Sequence, residues 1–372
     1  MSHRRTVVYV VSTLKKSGPT TQLFYILKHL DADEFRPVVL TLSPEPEDSD
    51  IARFRSLPVE LDSLNLSRIE GVYQGPVRLR RRVKEYSPNV IHTQGIRADS
   101  LSAIFLRTMP TVATARNYPY DDYPAKYGKK GYPMAWTHLR MYQQIDAVVA
   151  CSNAIASAIG DHEIQSAVIP NGVDCELFSP PNDESIDNLR EELDLSLEKD
   201  VVVSVGALIP RKEPRTAIRG FLESSYSDEA ILLMLGDGFL SEECESLAAD
   251  HDNVHLLGYV DDVASYLNAS DLFLSASNSE GLPNSVMEAI ASGLPVCLSD
   301  IGPHREIYDH DERIGKLFRT GDAAALSDCL DELATTNFEP RSRAARTLAV
   351  EEFSAEATSY QYQDLYREVS DE

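Results

Sequence analysis

Two glutamates flank the start of a predicted helix in the C-terminal half of the chain. Glu280 and Glu288 are separated by seven residues. The loop that follows the first of them reads Gly281-Leu282-Pro283-Asn284. Proline suits the first turn of a helix, where free backbone amides can bind an anion. Carboxylates also accept hydrogen bonds from sugar hydroxyls. The pattern therefore indicates a pocket suited to a sugar nucleotide, although a random pair of glutamates at this spacing would usually be solvated.

The glutamate pair lies within a regular alternation of short β-branched runs and longer amphipathic segments. Such alternation predicts βαβ units and hence parallel sheets. Predicted strands in the first half are Val7–Val11, Pro37–Leu42, Val90–His92, Val112–Ala115, Ala147–Cys151 and Ala167–Ile169. Those in the second half are Val201–Gly206, Ala230–Leu235, Val254–Leu257, Leu272–Ser275 and Pro295–Ser299. Because ligands of open parallel sheets bind at the carboxyl ends of the strands, the loop after Ser275 is well placed for binding.

The length of 372 residues suits two domains, since single cores stop growing beyond roughly 250–300 residues. A polar stretch around Pro180 and Pro181 is typical of a linker. We therefore predict an N-terminal α/β domain at residues 1–178, a linker at 179–199 and a C-terminal α/β domain at 200–352. The segment 353–372 is predicted to form a helix that packs back on the N-terminal domain. Its candidate packing residues are Tyr360, Tyr362, Leu365 and Tyr366.

The formal net charge of −24 argues against nucleic-acid binding, because phosphate neutralisation needs a basic surface. A strongly acidic chain with few lysines is typical of a salt-rich cytoplasm, where self-repulsion is screened. The five cysteines are widely spaced and indicate neither a disulfide framework nor a zinc site. The apolar run Val7–Val11 is too short for a signal peptide, and no apolar stretch is long enough to span a membrane. We therefore expect a cytoplasmic protein.

The stretch Glu280–Glu288 resembles the E-x7-E motif of the family-4 retaining glycosyltransferases. The likeness extends to Pro88–Gly95, Val168–Asp174, Val205–Lys212, Leu235–Gly238, Val254–Val260, Ser270–Ser275, Ser292–Pro295 and Gly315–Leu317. It implies the GT-B fold, in which two Rossmann-like, doubly wound domains face each other across a cleft. It also implies transfer of a hexosyl group, with retention, from a nucleotide-diphosphate sugar to a hydroxyl acceptor. The acceptor would be a sugar or a lipid-linked glycan, in glycan, polysaccharide or glycolipid synthesis.

The resemblance also implies roles for individual residues of the C-terminal half. Lys212 and Arg211 would hold the donor diphosphate, Glu280 the donor sugar and Glu288 the ribose. The helix start at Gly281–Asn284 would receive a phosphate. The nucleobase would lie near Tyr259 and Val260. No Asp-x-Asp motif stands in an obvious place, so we expect neither a metal nor a cofactor beyond the nucleotide sugar itself.

Three positions depart from the family pattern. Many members carry an arginine directly after the glycine at 206, where this chain has Ala207, and we expect Arg211 to replace it. Gly18 stands at the family's glycine-rich turn without a second glycine. Arg116 stands where relatives often have a histidine, which predicts a cation near the cleft. His92 is expected at a strand end facing that cleft.

Two further stretches of the first half could contact an acceptor or its surroundings. Tyr118–Tyr123 and Tyr127 read as an aromatic loop that could stack on a sugar or a polyprenyl-linked acceptor, or simply be a packed surface loop. A basic cluster follows on the predicted helix Val77–Tyr86 and comprises Arg78, Arg80, Arg81, Arg82 and Lys84. This cluster could touch anionic lipids at the inner face of the cell membrane. A solvated basic face is the competing interpretation.

Other functions remain open on the sequence. A sugar-nucleotide epimerase would share the two-domain cleft. A non-catalytic, donor-binding partner subunit is suggested by the departures at Ala207 and Arg116. An NAD-dependent oxidoreductase is disfavoured, because no G-x-G-x-x-G follows the first strand.

Overall fold

The computed structural model describes residues 4–181 and 183–371 of the chain. A few residues of the predicted domain ranges lie outside the described residues, namely Met1–His3, Asn182 and Glu372. The chain divides into two compact units. The first contains the residues up to Gly172 and the segment from Ala355 onward, and the second runs from Val173 to Ser354. The second unit thus begins before the predicted linker. The helix found within that linker belongs to the second unit.

Among its described residues, the first unit holds a parallel sheet of seven strands in the order β3-β2-β1-β4-β5-β6-β7. The strands are β1 (Arg5–Val11), β2 (Phe35–Thr41), β3 (Glu60–Ser63), β4 (Val90–Thr93), β5 (Thr111–Ala115), β6 (Ala147–Ala150) and β7 (Ala167–Val168). The central strands are buried on both faces, as is usual when helices cover a parallel sheet. Strand β3 was not predicted, because it is partly exposed at the sheet edge and lacks an apolar run.

Helices of the first unit connect these strands. They are α1 (Gly18–Lys28), α2 (Ile51–Phe54), α3 (Arg68–Tyr73), α4 (Gly75–Tyr86), α5 (Ile96–Phe105), α6 (Pro119–Tyr127), α7 (Gly131–Tyr142) and α8 (Asn153–Gly160). Helix α1 begins at Gly18, because the Ser17 side chain caps it and Pro19 occupies its first turn. The segment from Tyr118 to Tyr123, predicted as a loop, instead enters helix α6. That prediction was wrong, because aromatic residues and the internal Pro124 hide the helical pattern.

The described part of the second unit holds a parallel sheet of six strands in the order β10-β9-β8-β11-β12-β13. The strands are β8 (Asp200–Val205), β9 (Ala230–Leu235), β10 (Val254–Gly258), β11 (Leu272–Ser275), β12 (Val296–Ser299) and β13 (Gly315–Phe318). The helices are α9 (Asp183–Glu192), α10 (Pro214–Glu223), α11 (Ser241–Ala248), α12 (Val263–Asn268), α13 (Asn284–Ala291), α14 (Gly302–His310), α15 (Ala323–Ala334) and α16 (Glu339–Glu352). The predicted strands of this half are confirmed, each to within one residue.

The order of the strands determines where a ligand can bind in each unit. In the first unit β1 lies between β2 and β4, and in the second β8 lies between β9 and β11. The connections leave these two central strands in opposite directions, which opens a crevice at their carboxyl ends. In the first unit, Ser12 follows β1 and Gln94 follows β4. In the second unit, Gly206 follows β8 and Ala276 follows β11. These two places are therefore the natural binding positions of the fold.

The last helix, α17 (Ala355–Asp371), belongs to the first unit. Tyr362 and Tyr366 are fully buried in the core on that unit's sheet. The Tyr366 hydroxyl lies 2.7 Å from His92 Nδ1. Tyr360, predicted to pack, is instead 53% exposed and donates its hydroxyl to Glu356. Within the described ranges 4–181 and 183–371, no helix combines the length and apolar character needed to cross a membrane.

Candidate functional site

A short turn after β8 brings two cations over the end of the second sheet. Pro210–Lys212 forms one turn of 3-10 helix, and Glu213 then adopts a left-handed backbone with φ 50°. The following residue is Pro214, whose ring disfavours the right-handed helical region for the residue before it. The backbone N–H of Asn278 donates to the Arg211 carbonyl at 2.9 Å. This bond joins the turn to the loop after β11.

Both cations contact the carboxylate of Glu280. Arg211 Nη1 lies 2.7 Å from Glu280 Oε2, and Lys212 Nζ lies 2.5 Å from Glu280 Oε1. The Ser277 hydroxyl donates to the same Oε1 at 2.7 Å. The Glu280 side chain is only 7% exposed, whereas those of Arg211 and Lys212 are 24% and 20% exposed. The two cations are therefore the part of this cluster that an incoming ligand meets.

The ionisation of Glu280 follows from these contacts. Burial by itself raises the pKa of its carboxyl, but the charges of Lys212 and then Arg211 outweigh burial and lower the pKa to about 2. Glu280 is therefore a carboxylate at any physiological pH. Since one carboxylate faces two cations, this group of three side chains carries a net positive charge.

Close approaches of the backbone explain two glycines near this cluster. The Lys212 side chain crosses Gly206, where a Cβ atom would lie 3.4 Å from Lys212 Cε. A Cβ atom on Gly236 would lie 2.1 Å from the Gly206 carbonyl oxygen, and its φ of 138° also favours glycine. These glycines let the ends of β8 and β9 approach each other beneath the lysine.

A hydrogen-bonded layer supports Glu280 from below, and the sequence interpretation missed it. The Ser299 hydroxyl donates to the Ser277 carbonyl at 2.5 Å. His304 is fully buried, and its Nδ1 lies 2.9 Å from the Ser299 carbonyl oxygen. Burial lowers the pKa of His304 to about 4, although the nearby charge of Glu280 acts in the opposite direction. A neutral His304 thus donates from Nδ1. The only signal in the sequence was the position of Ser299, which ends β12 at the same sheet edge.

The predicted helix start lies beside the ionic cluster. Helix α13 begins at Asn284, so Pro283 is its N-cap rather than its first residue, and the Pro283 side chain makes no capping hydrogen bond. Gly281, Leu282 and Pro283 are buried, whereas Asn284 and Glu288 are partly exposed. The structure thus brings Arg211, Lys212 and Glu280 into direct contact at the amino end of α13. Glu288 lies more than one turn further along that helix.

The predicted nucleobase contacts lie at the end of another strand of the same sheet. Tyr259 and Val260 follow β10, and Gly258 before them has a φ of 67°. The Tyr259 ring is 65% exposed, and its hydroxyl lies 3.4 Å from Asp261 Oδ1. Among the described residues, no group of three or more acidic, histidine or cysteine side chains is arranged to hold a metal ion.

The remaining predicted site residues belong to the first unit. Gly18 is the exposed first residue of α1. Arg116 follows β5, and its Nη1 donates to Asn171 Oδ1. Arg116 also lines a cavity of about 290 Å³ at the carboxyl ends of the strands of this unit. Sequence reasoning missed a buried partner of that cavity, His138, whose Nε2 lies 2.6 Å from Asp99 Oδ2.

The structure corrects the predicted position of His92. Its side chain is fully buried between α17 and β5 rather than facing open space. Its Nδ1 lies 2.7 Å from the Tyr366 hydroxyl, and its Nε2 lies 2.8 Å from Thr114 Oγ1. Burial, followed by the charge of Arg116, lowers the pKa of His92 to about 3. His92 is therefore a neutral core residue that anchors the last helix.

Comparison with sequence families identifies the class of the protein. The family described as "Glycosyltransferase Family 4" matches residues 16–177, and the family described as "Glycosyl transferases group 1" matches residues 185–347. The two matches together span most of the chain. The chain belongs to the family-4, group 1 glycosyltransferases with the GT-B fold, and it is a transferase enzyme. The predicted family and fold are thereby confirmed.

Two curated relatives and one solved structure illustrate the similarity. The UDP-Gal:alpha-D-GlcNAc-diphosphoundecaprenol alpha-1,3-galactosyltransferase of Escherichia coli is 26% identical, over 71% of this chain and 74% of that protein. The alpha-monoglucosyldiacylglycerol synthase of Streptococcus pneumoniae is 24% identical, over 66% of this chain and 59% of that protein. The crystal structure of Anabaena HepE in complex with UDP is 19% identical, with a TM-score of 0.81 over 98% of this chain and 100% of that chain.

Proposed function

We propose that the protein is a retaining glycosyltransferase that moves a hexosyl group from a nucleotide-diphosphate sugar to a hydroxyl group of a sugar or lipid-linked glycan. The observation that carries the proposal is the contact of Arg211 and Lys212 with Glu280 at the amino end of α13. A net positive cluster beside the amino end of a helix suits a diphosphate. The names of the two relatives add support for a role in glycolipid or polysaccharide synthesis.

The chemistry would rest on stabilising the departing nucleoside diphosphate. Negative charge develops on the leaving phosphate oxygen as the bond to the anomeric carbon breaks, and cations placed beforehand at that position lower the barrier. Lys212 and Arg211 would supply this charge without a metal. Glu280 holds both cations in place before the donor binds, and it would accept hydrogen bonds from hydroxyls of the transferred sugar. Retention would then be visible as the same anomeric configuration in donor and product.

The rest of the donor would extend from this cluster along the same sheet edge. Glu288 would bind the ribose hydroxyls, and the exposed ring of Tyr259 with Val260 would cover the nucleobase. Gly281, Leu282, Pro283 and Asn284 would face the phosphates with their backbone. The acceptor would bind to the first unit, where Gly18 and Arg116 are candidate contact residues.

A thermal-shift screen of UDP-, GDP- and ADP-sugars tests donor binding, because a ligand that binds only the folded protein raises its apparent stability. Lys212→Gln should weaken binding of the active nucleotide sugar at least tenfold. Arg215→Gln is the matched control, since Arg215 lies three residues further on and forms an exposed ion pair with Glu243. Equal affinity of the Lys212 variant and the wild type would reject the donor site.

NMR of the nucleotide sugar alone separates the competing enzyme class. An epimerase would convert the donor without any acceptor, whereas the proposed transferase would require one. Tight nucleotide binding with neither transfer nor hydrolysis, across a panel of glycan and glycolipid acceptors, would instead identify a non-catalytic partner subunit.

The position of the protein in the cell forms a second part of the proposal. Helices α3 and α4 expose the apolar side chains of Ile69, Val72, Tyr73 and Val77, each between 71% and 80% exposed. The exposed side of α4 continues with basic residues, including Arg80 and Arg81. Apolar and basic groups side by side suit an anionic lipid surface. We propose a cytoplasmic enzyme that contacts the inner face of the cell membrane through this surface.

Flotation with vesicles of phosphatidylglycerol and phosphatidylcholine tests the membrane contact. The double variant Arg80→Gln and Arg81→Gln should lose most of the vesicle-bound fraction at low salt. Arg319→Gln with Arg343→Gln is the matched control, because these two arginines are similarly exposed but belong to the second unit. Equal flotation of both double variants and the wild type, or no flotation of any protein, would reject the contact.

A further inference from the structure

The cavity at the carboxyl ends of β1, β4 and β5 in the first unit has no assigned ligand. Its volume is about 290 Å³. The polar and charged side chains that line it include Ser12, Gln94, Arg97, Arg116, Lys126 and His138. Three cations and one carboxylate, that of Asp122, are among the lining residues. In a chain with a net charge of −24, this excess of positive charge is a local exception.

One edge of the Arg116 guanidinium has no partner among the residues that the structure describes. Nη1 donates to Asn171, but Nε and Nη2 are buried without a hydrogen bond. These two atoms lie on the same side of the planar group. A buried charged donor without an acceptor is costly, and such groups are typically explained by a missing ligand, ion or water.

The same edge of arginine binds carboxylates elsewhere in this protein. Nε and Nη2 of Arg367 donate to the two carboxylate oxygens of Glu34 at 2.9 and 2.7 Å. Nε and Nη2 of Arg305 likewise donate to the two oxygens of Asp300 at 2.9 and 2.5 Å. This side-on arrangement is a general mode for carboxylate and phosphate groups. The edge that Arg116 leaves without a partner is thus suited to two oxygens of one anion.

A second donor without a partner lines the same cavity. The side-chain nitrogen Nε2 of Gln94 is buried and has no hydrogen bond within the described residues. Gln94 directly precedes Gly95, which caps helix α5 with a φ of 90° and offers no side chain to the helix amides. The first residues of α5 also line the cavity, so the positive end of the helix dipole lies at its wall.

The carboxylate of the cavity does not cancel this charge. Asp122 is paired with Lys126, and the distance between Lys126 Nζ and Asp122 Oδ1 is 2.9 Å. The remaining cations of the lining are Arg97 and Arg116. An anion that enters the cavity therefore meets the Arg116 guanidinium and an Asp122 carboxylate that is already neutralised, while the Asp99 carboxylate lies behind the lining in contact with His138.

We propose that this cavity binds an oxyanion, either a carboxylate or a phosphoryl group, carried by the acceptor. Nε and Nη2 of Arg116 hold two of its oxygens side by side, and the Gln94 amide donates to one of them. Because these donor atoms are buried in the cavity wall, binding of the anion requires neighbouring side chains to move aside. The assignment of the anion to the acceptor rests on the proposed glycosyltransferase function, whereas the anion site itself does not.

Isothermal titration of the full chain with inorganic phosphate, inorganic diphosphate and malonate tests the site. All proteins carry Arg211→Gln, which we expect to weaken diphosphate binding at the donor cluster. Arg116→Lys keeps the charge but removes the side-on edge, and Gln94→Glu keeps the shape but adds a repelling charge. Arg36→Gln is the control, because this arginine forms an exposed ion pair with Glu60 outside the cavity. Near-UV circular dichroism verifies the fold of each variant.

The expected result is binding of at least one anion, with a dissociation constant at least tenfold higher in Arg116→Lys and in Gln94→Glu. Preference for phosphate or diphosphate would identify a phosphoryl acceptor, and preference for malonate a carboxylate acceptor. Equal affinity in all variants, or no binding of any anion, overturns the proposal. Titration of the chain without Arg211→Gln with UDP, GDP and ADP is measured in parallel. Loss of nucleotide binding there refutes the proposed function and is distinguishable from loss of the anion site.

Discussion

Replacing Glu280 with glutamine removes the negative charge that Arg211 and Lys212 share, while leaving the shape of the side chain nearly unchanged. The pKa of this buried carboxyl falls from 4.5 to about 2 in the folded protein. Each unit of pKa difference corresponds to about 1.4 kcal/mol, so the charged form contributes roughly 3 kcal/mol to the free energy of unfolding. We therefore expect Glu280→Gln to destabilise the protein by about this amount at pH 7.

The pH dependence distinguishes this electrostatic contribution from simple loss of packing. Because the folded pKa is depressed, the unfolded chain binds the proton first as the pH falls. The stabilisation is fully present above pH 4.5 and is lost as the pH approaches 2. At pH 3 roughly 2 kcal/mol of it has gone. The difference in free energy of unfolding between wild type and Glu280→Gln should therefore shrink by about this amount between pH 7 and pH 3.

Urea unfolding followed by circular dichroism at pH 7, 5, 4 and 3 measures this difference. Glu243→Gln is the control, because Glu243 forms an exposed ion pair with Arg215 in the same unit. Exposed pairs contribute less than about 1 kcal/mol. A difference between wild type and Glu280→Gln that stays constant across the pH series would refute the assignment of a depressed pKa.

Three further predictions concern stability. Gly236→Ala should cost about 2 kcal/mol or more in urea unfolding, since the new Cβ would meet the Gly206 carbonyl at 2.1 Å; wild-type stability would disprove the contact. Tyr366→Phe should lower the free energy of unfolding by about 1–3 kcal/mol, because it leaves His92 Nδ1 without its partner. Tyr360→Phe, at an exposed position, should change it by no more than about 0.5 kcal/mol. Equal losses in the two variants would contradict this prediction. The melting temperature should rise with KCl concentration, because salt screens the repulsion of a chain with net charge −24; a flat salt series would argue against it.

The fold was predictable because its strong elements are local in sequence. Strands such as β8 and β9 are continuous apolar runs, and their spacing alone indicated parallel sheets. The edge strand β3 and helix α6 escaped prediction for the opposite reason. Glu60–Ser63 has no apolar run, and Pro124 interrupts the helical pattern of α6.

The ionic cluster was predictable only in part. The family resemblance assigned Arg211, Lys212 and Glu280 to one donor site, and the structure brings these three side chains into contact. The layer formed by Ser299 and His304 depends on the pairing of β11 with β12, which no local pattern encodes. The same limit explains the error at His92, whose burial depends on a helix more than 250 positions further along the chain.

The place of helix α17 has a consequence for the order of folding. All described strands of the first unit lie in the chain before Gly172, whereas its last helix is formed by residues 355–371. The whole second unit lies between them in the sequence. During synthesis the second unit has all its strands and helices before α17 emerges. Until α17 emerges, the face of the first sheet around Tyr9 and His92 remains uncovered. We expect the second unit to reach its native state first, and the first unit to remain prone to aggregation until α17 docks.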